Sequence, residues 1–271
     1  MVVCQHRGMG ATVAIVNQKG GVGKTTVTLG LTSAAAARGD MVLVVDCDPQ
    51  ANATWSLGVD PEAVTEGTDS SIRRNRSGVA ARSFVESTWG PNVHVLPASS
   101  ALAAREGDLG KKNQASRLRT ALEGATHAYD IVLIDCSPAV GALTINALTA
   151  ADLALIVVEP AALSVRGITG VSDLIDSVWA DYNPKLDLAG VIMNRVPPNS
   201  TEASYQEDQL LVLLGKSTLW RPEIPQRTVL SESTGLRSPI HATGARGAEI
   251  AHIFDQHYQK LRKLIRAVNA P

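Results

Sequence analysis

"ATVAIVNQKGGVGKTT" occupies residues 11–26 and joins an apolar run to a glycine-rich loop. Residues 11–18 form a short apolar, β-branched run that leads straight into glycines. Residues 24–38 follow as an Ala/Leu-rich helix ending before Gly39, and "MVLVVDCDP" (41–49) is a second buried run, stopped by Pro49. Strand, glycine loop, helix, strand is how a parallel sheet begins, because strands covered on both faces read as near-continuous apolar runs. Further out, "NVHVLPAS" (92–99), "YDIVLIDCSP" (129–138), "ADLALIVVEP" (151–160) and "LDLAGVIMNRV" (186–196) read as strands, with helical stretches near 114–126, 141–150 and 164–182. This alternation predicts an α/β fold with a doubly wound, mostly parallel sheet flanked by helices.

Residues 60–92 are polar and punctuated by Gly, Ser and Pro, and "RRNRSG" (73–78) within them reads as a basic loop or helix end. No repeat or linker divides the chain, so the expected organisation is a loose tail over 1–10 and one P-loop domain over 11–271. Near the end, Ile250, Ile253, Phe254, Leu261, Leu264, Ile265 and Val268 recur at helical spacing, with Lys260, Arg262, Lys263 and Arg266 mostly between them. That pattern is an amphipathic helix docked by its apolar face.

Apolar residues make up 45% of the 271 and charged residues 19%, a globular balance that argues against wholesale disorder. No apolar run approaches the roughly 18 residues of a membrane span, and the N-terminus lacks a signal-type apolar core, so a cytosolic protein is expected. Cys4, Cys47 and Cys136 are far apart and form no C-x-x-C pair, so they suggest thiols rather than a zinc or iron–sulfur site. The net charge of −1 hides an asymmetry: residues 1–214 sum to −6 and residues 215–271 to +5. A basic C-terminal portion suits either a solvated face or contact with a polyanion.

The glycine loop carries the chemistry. Gly20, Gly21 and Gly23 lack a Cβ, so backbone N–H groups can close around phosphate oxygens. The helix that begins at Lys24 aims its positive end at the same place. Lys24 supplies a point charge and the Thr25 hydroxyl a Mg²⁺ ligand. The usual pattern, G-x-x-x-x-G-K-[ST], would place a glycine at position 18; here Gln18 stands there, followed by a second lysine, Lys19. Asp135 ends the run "IVLID", the usual place of a carboxylate that acts on Mg²⁺ through water. Asp46 and Asp48 end another run and fall on one side of an extended segment, where one of them could orient an attacking water or both could cap a turn.

"KGGVGKTT", "VLVVDCDPQANAT", "YDIVLIDCSPAVGALTINALTAAD" and "IPQRTVLSES" together resemble the ParA family of deviant Walker-A partition ATPases, over roughly residues 11–268. The resemblance implies ATP and Mg²⁺ as cofactors and a homodimer that buries ATP between its subunits. It gives the early lysine a purpose: Lys19 would reach across the dimer to the partner's phosphates, a cation supplied in trans. Gly20, Gly21, Val22, Gly23, Lys24, Thr25 and Thr26 would hold the nucleotide, with Thr25 on the metal. Asp48 would position the hydrolytic water, and Asp135 would act on the metal through water, with Asp46 as an outer metal partner. Asn194 matches the adenine-reading Asn, although Asn-Arg after a strand also makes a simple turn, and Pro225 falls in the loop near the base. "SPAVG" (137–141) departs from the family's commoner "PPSLG".

The functional expectation is DNA partition: an ATP dimer that binds DNA non-specifically and is released when a ParB-like centromere-binding protein stimulates hydrolysis. Lys216, Arg221, Arg227, Arg237 and Arg246 are the expected DNA contacts, the arginines in or beside loops and free to face solvent. No DNA-reading module precedes residue 11, so autonomous operator repression is not expected. A membrane-cycling MinD-like ATPase is the alternative, but no separate amphipathic tail follows the last helix, so no membrane partner is expected. A positioner of protein cargo is a further alternative.

Overall fold

The computed structural model describes residues 10–108, 113–160 and 164–268, with side chains described from residue 168 onward in the last segment. The expected tail, with Cys4, lies outside the described residues apart from Gly10. The strands are β1 (Ala11–Val16), β2 (Val42–Cys47), β3 (Val85–Glu86), β4 (Val93–Leu96), β5 (Ile131–Cys136), β6 (Leu153–Val158), β7 (Asp187–Met193) and β8 (Leu219–Trp220). They form one sheet in the order β3-β4-β2-β5-β1-β6-β7-β8. Every pairing is parallel except β3 with β4. β1 lies in the middle, between β5 and β6, so the loop after it opens where the connections diverge, the place at which such sheets bind ligands.

The helices are α1 (Lys24–Ala37), α2 (Asn52–Ser56), α3 (Thr68–Arg74), α4 (Arg117–Leu122), α5 (Ala142–Ala150), α6 (Ser164–Asp181), α7 (Thr201–Leu214), α8 (Thr228–Gly235) and α9 (Ala248–Val268). Strand alternation sends Val13 and Ile15 into one core and Ala14 and Val16 into the other. The first core is closed by α1 and α9, the second by α4, α5, α6 and the inner face of α7. Hence the strands read as continuous apolar runs rather than alternating ones.

The amphipathic C-terminal helix is borne out. Ile250, Ile253, Phe254, Leu261 and Ile265 are buried against α1 and the sheet, and Leu264 packs at the margin. Val268 departs from this pattern: it is exposed, as the last residue of the helix. α1 and α9 meet closely at Gly30, where a Cβ would lie 2.1 Å from the Phe254 ring, so only glycine admits that ring. Among the described residues, no helix is long and apolar enough to cross a membrane.

Residues 60–92, read as polar connection, contain α3, two short 3₁₀ turns and β3. "RRNRSG" is indeed a helix end: α3 stops at Arg74 and Asn75 turns left-handed at φ 45°. α7, β8 and α8 complete the region between β7 and α9.

Candidate functional site

The loop between β1 and α1 wraps a space at the C-terminal edge of the sheet. Its base is locked from below, where Asn17 donates through Nδ2 to the Val157 carbonyl and accepts the Lys19 N–H at 2.8 Å. Gly21 and Gly23 take φ of +82° and +89°, the left-handed region that favours glycine. Gly23 is constrained twice, because a Cβ there would lie 2.0 Å from Nδ2 of Asn194.

The two lysines part company. Lys24 is 6% exposed, and its Nζ donates to the carbonyls of Asn17 at 3.2 Å and Lys19 at 3.4 Å, so it curls into the cradle. Burial lowers its pKa, opposed by the charge of Asp135. The Lys19 side chain is 52% exposed and turns outward to Glu159, 3.4 Å away. Glu159 also holds Arg195 at 3.1 Å, so a carboxylate and two cations rim the loop.

Asp135 is buried behind Thr25. Its two oxygens accept from Thr25 Oγ1 at 2.7 Å and Thr28 Oγ1 at 3.1 Å. Asp46 is its register partner on β2. Burial raises both carboxyls above the ordinary 3.8, and their mutual repulsion pushes Asp135 further. Cys47 and Cys136, the next register pair, are free buried thiols that burial also pushes up.

Asp46, expected as an outer metal partner, lies behind the cleft rather than on its wall. It is fully buried, its Oδ1 accepts the Asp48 N–H at 3.1 Å, and its Oδ2 accepts the N–H and hydroxyl of Thr54 at 2.8 and 2.7 Å. Asp46 therefore fixes the turn and α2. Asp48 is the carboxylate that lines the cleft, beside Lys24 and Thr25, with its Oδ1 accepting the Gln50 N–H at 2.9 Å.

The cleft over the loop has a volume of about 330 Å³. It shares Thr26, Arg195 and Thr234 with a neighbouring pocket of about 510 Å³ lined by Asn194, Pro225 and Arg227. Asn194 is completely buried; its Nδ2 donates to the Val22 carbonyl at 2.8 Å, which fixes the amide's orientation. Its Oδ1 has no hydrogen-bond partner among the described residues, an orphaned acceptor at a pocket wall. At the departure "SPAVG", Ser137 donates to Glu106 at 3.3 Å, so the variant hydroxyl is tied to the 3₁₀ segment over 100–108.

Of the C-terminal arginines expected to face solvent, Arg221, Arg227 and Arg246 do so, each beside a carboxylate, and Arg237 does not. Arg221 pairs with Glu207 and Glu223, Arg227 with Glu249, and Arg246 with Glu232. Arg237 is half-buried, with its guanidinium 4.3 Å from the centre of the Trp55 ring. Lys216 is exposed, as expected. Sequence reasoning missed Asn17, Thr28, Trp55, Glu159 and Arg195; only the position of Glu159 at the end of a buried strand beside β1 could have flagged any of them.

This is a P-loop fold with a second lysine in the loop, a buried carboxylate at the end of a neighbouring strand, and a pocket of about 510 Å³ beside the cradle. Residues 10–188 match a family described as "AAA domain". The chain is 33% identical to the sporulation initiation inhibitor protein Soj of Bacillus subtilis, over 89% of this chain and 95% of that protein. It is 32% identical to the chromosome partitioning protein ParA of Caulobacter vibrioides, over 84% and 85%. The chain belongs to the ParA/Soj family of partition ATPases. Among solved structures, cobyrinic acid a,c-diamide synthase from Mycobacterium smegmatis with bound ADP and magnesium superposes with a TM-score of 0.80 at 26% identity, covering 96% of each chain. The fold also matches an ATP complex of a Cyanothece McdA variant, with a TM-score of 0.84 at 19% identity over 94% and 97%.

The buried carboxyl pair sets a stability prediction. With folded pKa values above 3.8, the native state binds more protons than the unfolded chain, so its stability falls as pH rises from about 4 through the folded values. Asp135→Asn removes one charge and relieves its neighbour. Without divalent cation, the variant's unfolding free energy should fall less between pH 5 and pH 8 and exceed that of wild type at pH 8 by about 1 kcal/mol or more. An unchanged pH slope would refute the assignment.

Proposed function

We propose that this chain is a Mg²⁺-dependent ParA-type ATPase of DNA partition, with residues 11–271 acting as one domain. The reading rests above all on the divergence of the two lysines, one folded into the cradle and one turned out of it. ATP would lie with its phosphates in the loop of Gly20, Gly21, Val22 and Gly23, against Lys24 and Thr26. The adenine would enter the pocket of Asn194 and Pro225, where the orphaned Oδ1 can accept from an exocyclic amine. The residues present fit Mg²⁺, a hard cation that favours oxygen donors: the Thr25 hydroxyl would hold it and, behind it, the Asp135 carboxylate would act through water. The metal would neutralise charge on the phosphates. Asp48 would orient the hydrolytic water, and Lys19 would complete the site of a partner subunit.

In this reading the ATP dimer binds DNA without sequence preference on the nucleoid, within the cytoplasm, and a ParB-like protein stimulates hydrolysis and release. Lys216, Arg221, Arg227, Arg237 and Arg246 would meet phosphates. Exposed ion pairs are worth only about 0–1 kcal/mol, so DNA phosphates can replace the paired glutamates. Dimer symmetry doubles every contact, and each phosphate contact steepens the salt dependence, with a log–log slope of about −0.9 per contact.

The test is duplex binding with ATP, ADP and no nucleotide across a salt series. Tight binding is expected with ATP alone, lost as salt rises and weakened by Arg227→Glu or Arg246→Glu. Binding equally tight with ADP, or insensitive to salt, would overturn the DNA reading.

A further inference from the structure

Exposed large apolar side chains are concentrated on one surface. Trp179 on α6, Tyr182 just after it, Leu188 at the start of β7, and Tyr205, Val212 and Leu213 on α7 are all exposed, Val212 to 86%. The chain has only four Trp and four Tyr, so three of them open to solvent on one face calls for an occupant.

α6 and α7 lie on the same side of the sheet: Ile168, Leu174 and Val178 of one and Leu210 of the other enter a single core. Each leaves the C-terminal edge and runs back toward the N-terminal edge. Trp179, Tyr182, Val212 and Leu213 therefore gather at the end away from the nucleotide loop. The same face carries Asp173, Asp176 and Asp181 on α6, Asp187 on β7, and Glu202 and Asp208 on α7, all exposed. None of these six forms an ion pair with a described residue; of the nearby cations, Arg195 is taken by Glu159, which leaves Lys185 and Arg119, the latter donating to the Tyr182 carbonyl at 2.7 Å.

This combination selects the occupant. Six unneutralised carboxylates repel DNA, an anionic membrane and the same face of a second copy. They attract a basic chain, whose cations can also sit over exposed aromatic rings. We propose that the α6–α7 face docks a basic segment of a partner protein, its Lys or Arg residues against these carboxylates and its apolar residues on Trp179, Tyr205, Val212 and Leu213. The docking surface deepens the partner reading above, yet it does not rest on the nucleotide chemistry, since its Trp179, Tyr182, Val212 and Leu213 end lies away from the loop.

The probe is a fluorescein-labelled amphipathic peptide of Lys and Leu, titrated by anisotropy against the full chain. A Glu/Leu peptide and a Lys/Ser peptide serve as controls. Wild type should bind the Lys/Leu peptide and neither control. Asp176→Lys with Asp208→Lys should weaken binding by at least about tenfold, or roughly 1.4 kcal/mol. Trp179→Ser with Tyr205→Ser should do the same at unchanged charge. These residues are exposed, so thermal melts and ATP binding should match wild type, which separates a lost surface from a lost fold or nucleotide site. Equal binding by the variants, equal binding of either control peptide, or wild-type self-association abolished by Trp179→Ser with Tyr205→Ser would overturn the proposal.

Discussion

Lys19→Ala will still bind Mg-ATP but will remain monomeric, with hydrolysis lowered by about 10³-fold or more, the scale of a cation supplied in trans. The geometry separates this lysine from its neighbour. Its side chain is half-exposed and, among the described residues, held only by Glu159, while its backbone carbonyl, which the substitution keeps, accepts Lys24. Truncation therefore leaves the loop intact. Lys24→Ala should behave differently: it removes a buried cation and strands the carbonyls of Asn17 and Lys19, so nucleotide binding itself should fail. Sedimentation with ATP distinguishes the two. A Lys19→Ala protein that dimerises like wild type would remove the cross-subunit role, whereas failure to bind ATP would mean that Lys19 belongs to its own cradle.

Much of the fold was legible because its central strands are buried on both faces and read as apolar runs of the correct length. The losses have specific causes. α3 buries Thr68, Ser70, Ser71 and Ile72, so its inner face looks polar in sequence. α7 buries Ala203, Gln206 and Leu210 while exposing Tyr205, Val212 and Leu213, which inverts the usual periodicity. β3 and β8 are two residues each, too short to carry a pattern.

At the site, the loop, Lys24 and Thr25 were legible because a local stretch carries their chemistry. The arginine pairs were not. Arg227 and Arg246 find their carboxylates on other helices, and Arg221 finds Glu207 on α7 as well as its near neighbour Glu223, so the distant partners are not announced nearby in sequence. The choice between Asp46 and Asp48 was equally hidden. Strand alternation puts both on one side, and only Thr54, one turn into α2, closes over Asp46 and takes it out of contention.

That closure makes the Asp48 prediction sharp. Asp48→Ala should bind Mg-ATP with near wild-type affinity, since Lys24, Thr25 and the loop backbone are untouched. It should also dimerise, because Lys19 is untouched. Hydrolysis should fall by about 10²-fold or more, the lower end of what positioned acid–base groups contribute. ATP-bound dimer should therefore accumulate, and chromatography in ATP should show a persistent dimer where wild type decays to monomer. Asp46→Ala should fail in another way. It strips the Thr54 N–H and hydroxyl and the Asp48 N–H of their buried acceptor, so it should destabilise the fold by about 1–3 kcal/mol or more. Denaturation midpoints tell the two variants apart. A stable Asp48→Ala protein that hydrolyses ATP at the wild-type rate would exclude this carboxylate from water positioning. Asp46 could not take its place, because its oxygens are already committed to the turn and to α2.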